Sequence, residues 1–253
     1  MRIILGEKLI KLAIVQSTNN YAFELIHNCK TQEKSSLSGT VIWADEQIAG
    51  RGQQTNYWES ERNKNLTLSI ILFPENFKAE DQFSLSKLVA LGVRDFLSNY
   101  VKDVQIKWPN DIYINDKKIA GILIENSIMG GFLTQIIIGI GINVNQDVFL
   151  SKTPNPVSLK LITGIDYELD NLLKKLLNSL ETYINQYYSR TKDDIDVEYL
   201  NCLYRYKIPS KFKDANKEFI GIITGITQWG ELLIEKEDAQ IVSYYFKEIS
   251  FVL

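Results

Sequence analysis

KWPNDIYINDKKIAGILIE, residues 107–125, is the stretch whose reading decides the fold. A strand over Val104–Trp108 must stop at Pro109, which has no N–H to give to a ladder. A second strand resumes at Ile112. Asn115-Asp116 suits a tight turn, since both residues tolerate positive φ, and Ile119 to Glu125 returns. Two adjacent strands joined this tightly must be antiparallel. Alternation puts Ile106 and Trp108 on one face and Lys107 on the other. It also puts Lys118 and Gly121 on opposite faces, so a bulge or a reach over the strand end is needed if both touch one ligand. Taken singly, Pro-Asn-Asp reads as a surface turn, and Lys117 and Lys118 as solubility residues. Taken together, they place more polar groups beside Trp108 and Ile106 than a core requires. Polar groups on rigid strands next to apolar surface are how proteins hold small, partly apolar, partly charged ligands.

Working outward, the neighbouring segments supply the rest of a sheet. GTVIWADE (Gly39 to Glu46) and NLTLSIILF, stopped by Pro74, read as strands. Gly130-Gly131 turns into FLTQIIIGIGINVN, a near-continuous apolar run and therefore a central strand. Helical spacing covers residues 82–101, with Phe83, Leu88, Phe96 and Leu97 inward. It recurs at 168–188, with Leu169, Leu172, Leu173, Leu176, Leu180, Tyr183, Ile184 and Tyr187 on one face. Thr18-Asn19 is read as the cap of a first helix running to Asn28. After Tyr204, short apolar runs alternate with glycines and polar turns, as in a small all-β unit. The expectation is an α+β domain over residues 1–203 with a mixed or mainly antiparallel sheet, then a small β-barrel over 204–253.

The 253 residues are 45% apolar with a net charge of −3, which argues against a general nucleic-acid or membrane-surface binder. Two cysteines, Cys29 and Cys202, suit a reducing compartment better than a disulfide framework. The amino-terminal segment lacks a signal-peptide core, and no apolar run reaches the ~18 residues of a membrane span. A cytoplasmic protein is expected. His27 is the only histidine, and its helical context reads as an ordinary surface position. Histidine-based nucleophilic triads and His/Cys zinc sites have little material here, so catalysis would rest on charge and positioning.

Two further motifs bear on function. In Gly50-Arg51-Gly52-Gln53-Gln54-Thr55-Asn56-Tyr57-Trp58, glycines allow close backbone approach, and the arginine offers a fork to carboxylate or phosphate. The spacing fits neither a Walker loop nor a dinucleotide fingerprint, and a flexible solvated loop is the plain alternative. In Gly139-Ile140-Gly141-Ile142-Asn143-Val144-Asn145, glycines weaken a strand unless something must pack against its backbone.

In this order the motifs resemble those of the biotin protein ligases over nearly the whole chain. Ser17-Thr18-Asn19, Gln47 with Gly50-Arg51-Gly52 and Trp58, KWPND with Lys118, Gly121-Ile122-Leu123 and Glu125, and GIGINVN carry the likeness. Gly225-Ile226 and Gly230-Glu231-Leu232 add to it in the tail. The resemblance implies a catalytic domain related to class II aminoacyl-tRNA synthetases, followed by an SH3-like C-terminal domain. It implies that biotin and ATP form biotinyl-5′-AMP, with Mg²⁺, and that biotin then passes to a lysine of a biotin carboxyl carrier domain, such as that of acetyl-CoA carboxylase. It assigns Ser17, Thr18, Asn19, Gln47, Gly50, Arg51, Gly52, Gln53, Lys118 and Gly121 to biotin. Trp58, Asn110 and Asn143 go to the nucleotide. Lys118, Arg51 and Asp111 are the catalytic candidates, and no metal-ligating residue is assigned. Gln53 stands where the family often has a second arginine, Thr55 where glycine is common, and Gln16 where aspartate is frequent. About sixteen residues precede Ser17, so no winged-helix DNA-binding domain is expected. Monomer and homodimer both stay open. A lipoate or octanoate ligase and a non-enzymatic biotin-binding module are the rival readings.

Overall fold

A computed structural model of the chain describes residues 2–53, 56–150 and 155–252. The expectation about Thr55 therefore lies outside the described residues.

The first sheet has seven strands: β1 (Leu9–Leu12), β2 (Val41–Ala44), β3 (Leu66–Leu72), β4 (Val104–Lys107), β5 (Asp111–Ile114), β6 (Lys117–Met129) and β7 (Phe132–Ile142). Their order is β1-β2-β3-β7-β6-β5-β4, so the near-continuous apolar run, β7, lies in the middle. Only β1–β2 is parallel and the other pairings are antiparallel, which makes the sheet mixed. β6 and β7 are joined through Gly130 (φ 60°) and Gly131 (φ 81°), two left-handed positions as the two-residue hairpin turn requires.

Alternation gives the sheet two different faces. Leu66, Leu68, Ile70 and Leu72 of β3 and Ile136, Ile138, Ile140 and Ile142 of β7 point into the main core. That face is covered by α2 (Gln82–Ser98) and α4 (Leu169–Asn185). The two helices approach closely at Gly92, where an added Cβ would lie 3.2 Å from Leu180 Cδ2. The opposite face is covered at one end by α1 (Thr18–Asn28), whose Ala22 and Ile26 pack on Ile42, Ile71 and Ile137. Beyond α1 that face carries Thr67, Ser69, Gly139, Gly141 and Gly121, which are too small to fill the space above them.

Thr18 and Asn19 do not cap α1. Ser17 is the cap residue, without a side-chain cap bond, and Thr18 and Asn19 lie in the first turn with their side chains turned toward the sheet. Among the strands and α-helices, three were not anticipated: β1, α3 (Leu159–Thr163) and α5 (Lys192–Asn201). The last buries only Ile195 and Tyr199, too few positions to mark a helical stripe.

The chain leaves the first sheet along β4, where Ile106 N–H donates to Cys202 O and Tyr204 N–H to Ile106 O. Lys207 N–H then donates to Ile223 O. The second sheet contains β8 (Ser210–Asp214), β9 (Glu218–Ile226), β10 (Leu232–Lys236), β11 (Ile241–Tyr244) and β12 (Ile249–Phe251), in the order β11-β10-β9-β8-β12. Trp108 Nε1–H donates to Gly230 O at 2.8 Å and so ties the two sheets together. Among the described residues no helix is long and apolar enough to cross a membrane.

Candidate active site

The uncovered face holds a cavity of about 880 Å³. Its floor follows from strand register. One row across the sheet reads Lys107 (β4), Asp111 (β5), Gly121 (β6), Gly141 (β7), Thr67 (β3) and Ala44 (β2). The next row reads Leu123, Gly139, Ser69 and Ile42. Directly opposed residues on neighbouring strands share a face, so charge sits at one end of the first row and bare backbone in its middle.

The β5–β6 register shifts by one residue, pairing Ile112 with Ala120 but Tyr113 with Lys118. Ile119 is the extra residue of a bulge, and it reverses the parity that separates Lys118 from Gly121. Both therefore face the cavity, and a Cβ on Gly121 would lie 3.4 Å from Lys118 Cε. The bulge re-aims a side chain at a site, as bulges commonly do.

At the α1 end, buried polar groups satisfy one another. Gln47 Oε1 accepts from Thr18 N–H (2.8 Å) and Thr18 Oγ1 (3.1 Å). Ser69 Oγ lies 2.7 Å from Thr18 Oγ1 and 2.5 Å from Asn19 Oδ1. Asn19 Nδ2 donates to Glu125 Oε2 at 2.8 Å. A Cβ on Gly139 would fall 2.4 Å from Asn19 Oδ1, which is why that strand position is glycine. Ser17, Thr18, Asn19 and Gln47 are all buried and line the cavity.

The loop after Gln47 folds over the floor as a narrow hairpin. Gly52 N–H donates to Asn56 O and Trp58 N–H to Gly50 O, and Arg51 bridges Tyr57. Gly50 permits this approach, since its Cβ would lie 2.4 Å from Trp58 O. The Trp58 indole rests on the glycine row, where a Cβ on Gly141 would come within 2.3 Å of Cε2 and one on Gly121 within 3.0 Å of Cζ3. Trp58 Nε1 and Gln53 Oε1 are buried without a hydrogen-bond partner. Unpaired donors and acceptors of this kind are costly unless a ligand or water takes them. Arg51 is turned to the loop's outer side, where its Nη2 donates to Glu125 Oε1 at 2.8 Å and its Nη1 to Asn20 Oδ1 at 2.7 Å.

At the charged end of the row, Lys118 Nζ lies 2.6 Å from Asp111 Oδ1 and 5.6 Å from the Trp58 ring centre. Lys107 Nζ donates to Tyr113 Oη at 3.0 Å. Burial pushes the Lys107 ammonium below the usual lysine range, an effect that Asp111 opposes and Lys118 and Arg205 reinforce. Burial and the nearby Asp111 carboxylate push the Tyr113 phenol up, so it serves Lys107 as a neutral acceptor.

The structure thus gathers Ser17, Thr18, Asn19, Gln47, Arg51, Gly52, Gln53, Trp58, Asn110, Asp111, Lys118 and Gly121 around one cavity. Two expected site residues stand off its wall. Gly50 serves the hairpin, and Asn143 is buried at the end of β7, where its amide donates to Val157 O at 3.0 Å. Asn110 lines the cavity, but its amide donates to Ile122 O. Sequence reasoning missed Ser69, whose signal was its place two residues after Thr67, the two polar residues of a strand that is otherwise apolar. It also missed Lys107 as a wall residue, together with Phe246, Lys247 and Phe251, which the second sheet region contributes to the same cavity.

Residues 12–143 match the model of the biotin/lipoate A/B protein ligase family, and the chain belongs to that family. It is 30% identical to the biotin–[acetyl-CoA-carboxylase] ligase of Paracoccus denitrificans, over 88% of this chain and 92% of that protein. It is 32% identical to the bifunctional ligase/repressor BirA of Salmonella typhimurium, over 94% of this chain and 72% of BirA. Among solved structures it is similar to the biotin protein ligase of Aquifex aeolicus in complex with biotin and ATP. The TM-score there is 0.77 at 26% identity, covering 97% of this chain and 98% of that one.

Proposed function

We propose that this protein is a biotin protein ligase that activates biotin with ATP and passes the biotinyl group to a lysine of a biotin carboxyl carrier domain. The observation that carries the reading is the row Lys107-Asp111-Gly121-Gly141. A glycine floor covered by the Trp58 indole runs directly into a lysine–carboxylate pair 2.6 Å apart.

In the first step the biotin carboxylate attacks the α-phosphorus, forming a C–O–P anhydride and expelling pyrophosphate. Two anions must approach, and fixed cations relieve that repulsion most effectively where water is excluded. Lys118 stands at the slot's end. Arg51 joins it by exchanging Glu125 for the ligand, and the Gly50–Trp58 hairpin shields the water-sensitive anhydride. In the second step a neutral carrier amine attacks the acyl carbon and AMP leaves. Asp111, already bonded to Lys118, orients that amine or takes its proton. Ser17, Thr18, Asn19, Gln47, Gly52, Gln53 and Gly121 are assigned to the biotin head, and Trp58 and Asn110 to the nucleotide side. Asn143 contributes by fixing the β7 end.

Asp111 is the one carboxylate among the described wall residues, and no group of three or more His, Cys, Asp or Glu is placed to hold a metal among them. That donor set fits Mg²⁺ carried on phosphate oxygens, where it would neutralise phosphate charge. We read residues 1–203 as a catalytic domain related to class II synthetases, residues 204–253 as an SH3-like domain, and the cytoplasm as the working compartment.

The test is incubation with labelled biotin, ATP and a carrier domain. Label on the carrier lysine, dependent on ATP, is expected. Labelling by lipoate in place of biotin would reassign the substrate, and biotin binding without pyrophosphate release would reduce the protein to a binding module.

A further inference from the structure

The charged end of the floor row holds more positive charge than it pairs. Lys107, Lys118 and Arg205 lie near one another with two carboxylates, Asp111 and Asp116. Both carboxylates are engaged. Asp111 takes Lys118 at 2.6 Å, and Asp116 takes Arg205 at 3.5 Å and the Tyr204 hydroxyl. The Lys107 ammonium is left with a neutral phenol, Tyr113 Oη, and with the faces of Tyr113 and Phe251, whose ring centres lie 4.4 and 5.1 Å away. Its ordinary affinity for its proton is weakened by this burial. A half-buried ammonium on a cavity wall without an anionic partner is poorly compensated, and a bound anion would supply what is missing. Lys247, exposed and held at φ 72° beside Phe246, lines the same cavity from the second sheet region. Phe246 packs on Trp108 with ring centres 6.3 Å apart, which brings that wall against KWPND.

We propose that Lys107, with Lys247 from the second sheet region, forms a subsite for the terminal phosphates of the nucleotide, the same group that departs as pyrophosphate. Lys118 and Arg51 remain at the reacting α-phosphate. The division follows the row: Lys118 adjoins the glycine slot, and Lys107 lies one strand further out beyond Asp111. The subsite rests on the ligase reading for the identity of its ligand, but its anion chemistry can be read independently.

Lys107→Met keeps length and packing and removes the charge. Lys107→Arg keeps the charge. Binding of inorganic tripolyphosphate and of pyrophosphate, measured by calorimetry on the full chain, should weaken about 10- to 100-fold in Lys107→Met, as expected for one lost charge-assisted contact. Lys107→Arg should retain it within about threefold, Lys247→Met should show a smaller loss, and biotin affinity should not move. In biotin-dependent ATP–pyrophosphate exchange, Lys107→Met should raise the KM for both ATP and pyrophosphate more than it lowers kcat. Wild-type affinity for tripolyphosphate in Lys107→Met would overturn the subsite. So would equal losses of biotin and polyphosphate binding, which would make Lys107 a structural support of Asp111. Absence of exchange in the wild type, with polyphosphate binding still sensitive to Lys107, would count against the ligase reading and leave the anion site standing.

Discussion

Lys118 Nζ rests 2.6 Å from Asp111 Oδ1 because one extra residue, Ile119, is inserted into the β5–β6 hairpin. The ion pair and the bulge are therefore one feature: were Ile119 paired in regular alternation and not bulged out, the lysine would point into the helix-covered core. In the proposed reaction Asp111 is needed by the incoming amine and less by the first step. Asp111→Asn should slow transfer from preformed biotinyl-5′-AMP about 100-fold, while biotin-dependent exchange changes far less. Equal slowing of the two half-reactions would remove Asp111 from the proton-handling role.

Gly139 leaves room for the Asn19 amide, whose Oδ1 would lie 2.4 Å from an added Cβ. Gly139→Ala should push Asn19 off Ser69 and Glu125 and destabilise the fold by about 1–3 kcal/mol, the usual range for overpacking. Because Asn19 lines the cavity, biotin affinity should fall more than affinity for inorganic polyphosphate. Chemical denaturation and calorimetry on the same sample would show both effects.

The Arg51–Glu125 pair is partly exposed, with side chains 41% and 37% accessible. Exposed pairs of this kind contribute about 0–1 kcal/mol. Arg51→Ala should leave thermal stability within that margin and sharply reduce adenylate formation. A large loss of stability would show that the arginine holds the hairpin and does not act on ligand.

Gln53 buries an unpartnered Oε1 at the cavity wall, and an amide cannot pair with phosphate charge. Gln53→Arg should retain biotinyl-5′-AMP longer, with a lower dissociation rate in a filter-retention assay. An unchanged rate would mean that the Gly50–Trp58 backbone, not the side chain at 53, sets retention.

Lys107 is held below its ordinary range by burial. Above its folded value and below the unfolded one near 10.4, the unfolded chain binds more protons, so this group makes stability rise with pH. Below both values the desolvation penalty is fully expressed. Lys107→Met should therefore be more stable than wild type at neutral pH, and the difference should shrink as pH approaches and passes about 10.4. Paired urea titrations at several pH values measure it. A difference that stays constant across pH would assign the effect to packing.

The strand-and-turn reading of residues 104–145 corresponds closely to β4–β7, because Pro109, Asn115-Asp116 and Gly130-Gly131 carry their own backbone chemistry. The glycine strand was legible for a similar reason: Gly139 and Gly141 are explicable only if Asn19 and Trp58 approach their backbone. Other features depend on tertiary register. No local signal announces that Ile119 is extra, that Ser69 meets Asn19, or that Lys107 lines up with Asp111 and Gly121. Thr18 and Asn19 looked like caps because their residue types suit caps, and only the packing of α1 on β3 shows them facing the sheet. Helix α5 was hidden because its sequence, KDDIDVEYLN, has almost no apolar stripe.

The floor beneath Trp58 has consequences for selectivity. Gly121, Gly139 and Gly141 present hydrogen atoms where any other residue would present carbon. The depth at which the Trp58 indole and the Asn19 amide settle, and with it the room left beside them for a ligand, is thus written as missing methyls at three adjacent backbone sites, which makes the site adjustable in single-carbon increments. A chain that restored one of them would need a trimmed indole or a trimmed ligand in return. That reciprocity offers a route to pairing an altered enzyme with an altered acid that the natural one rejects.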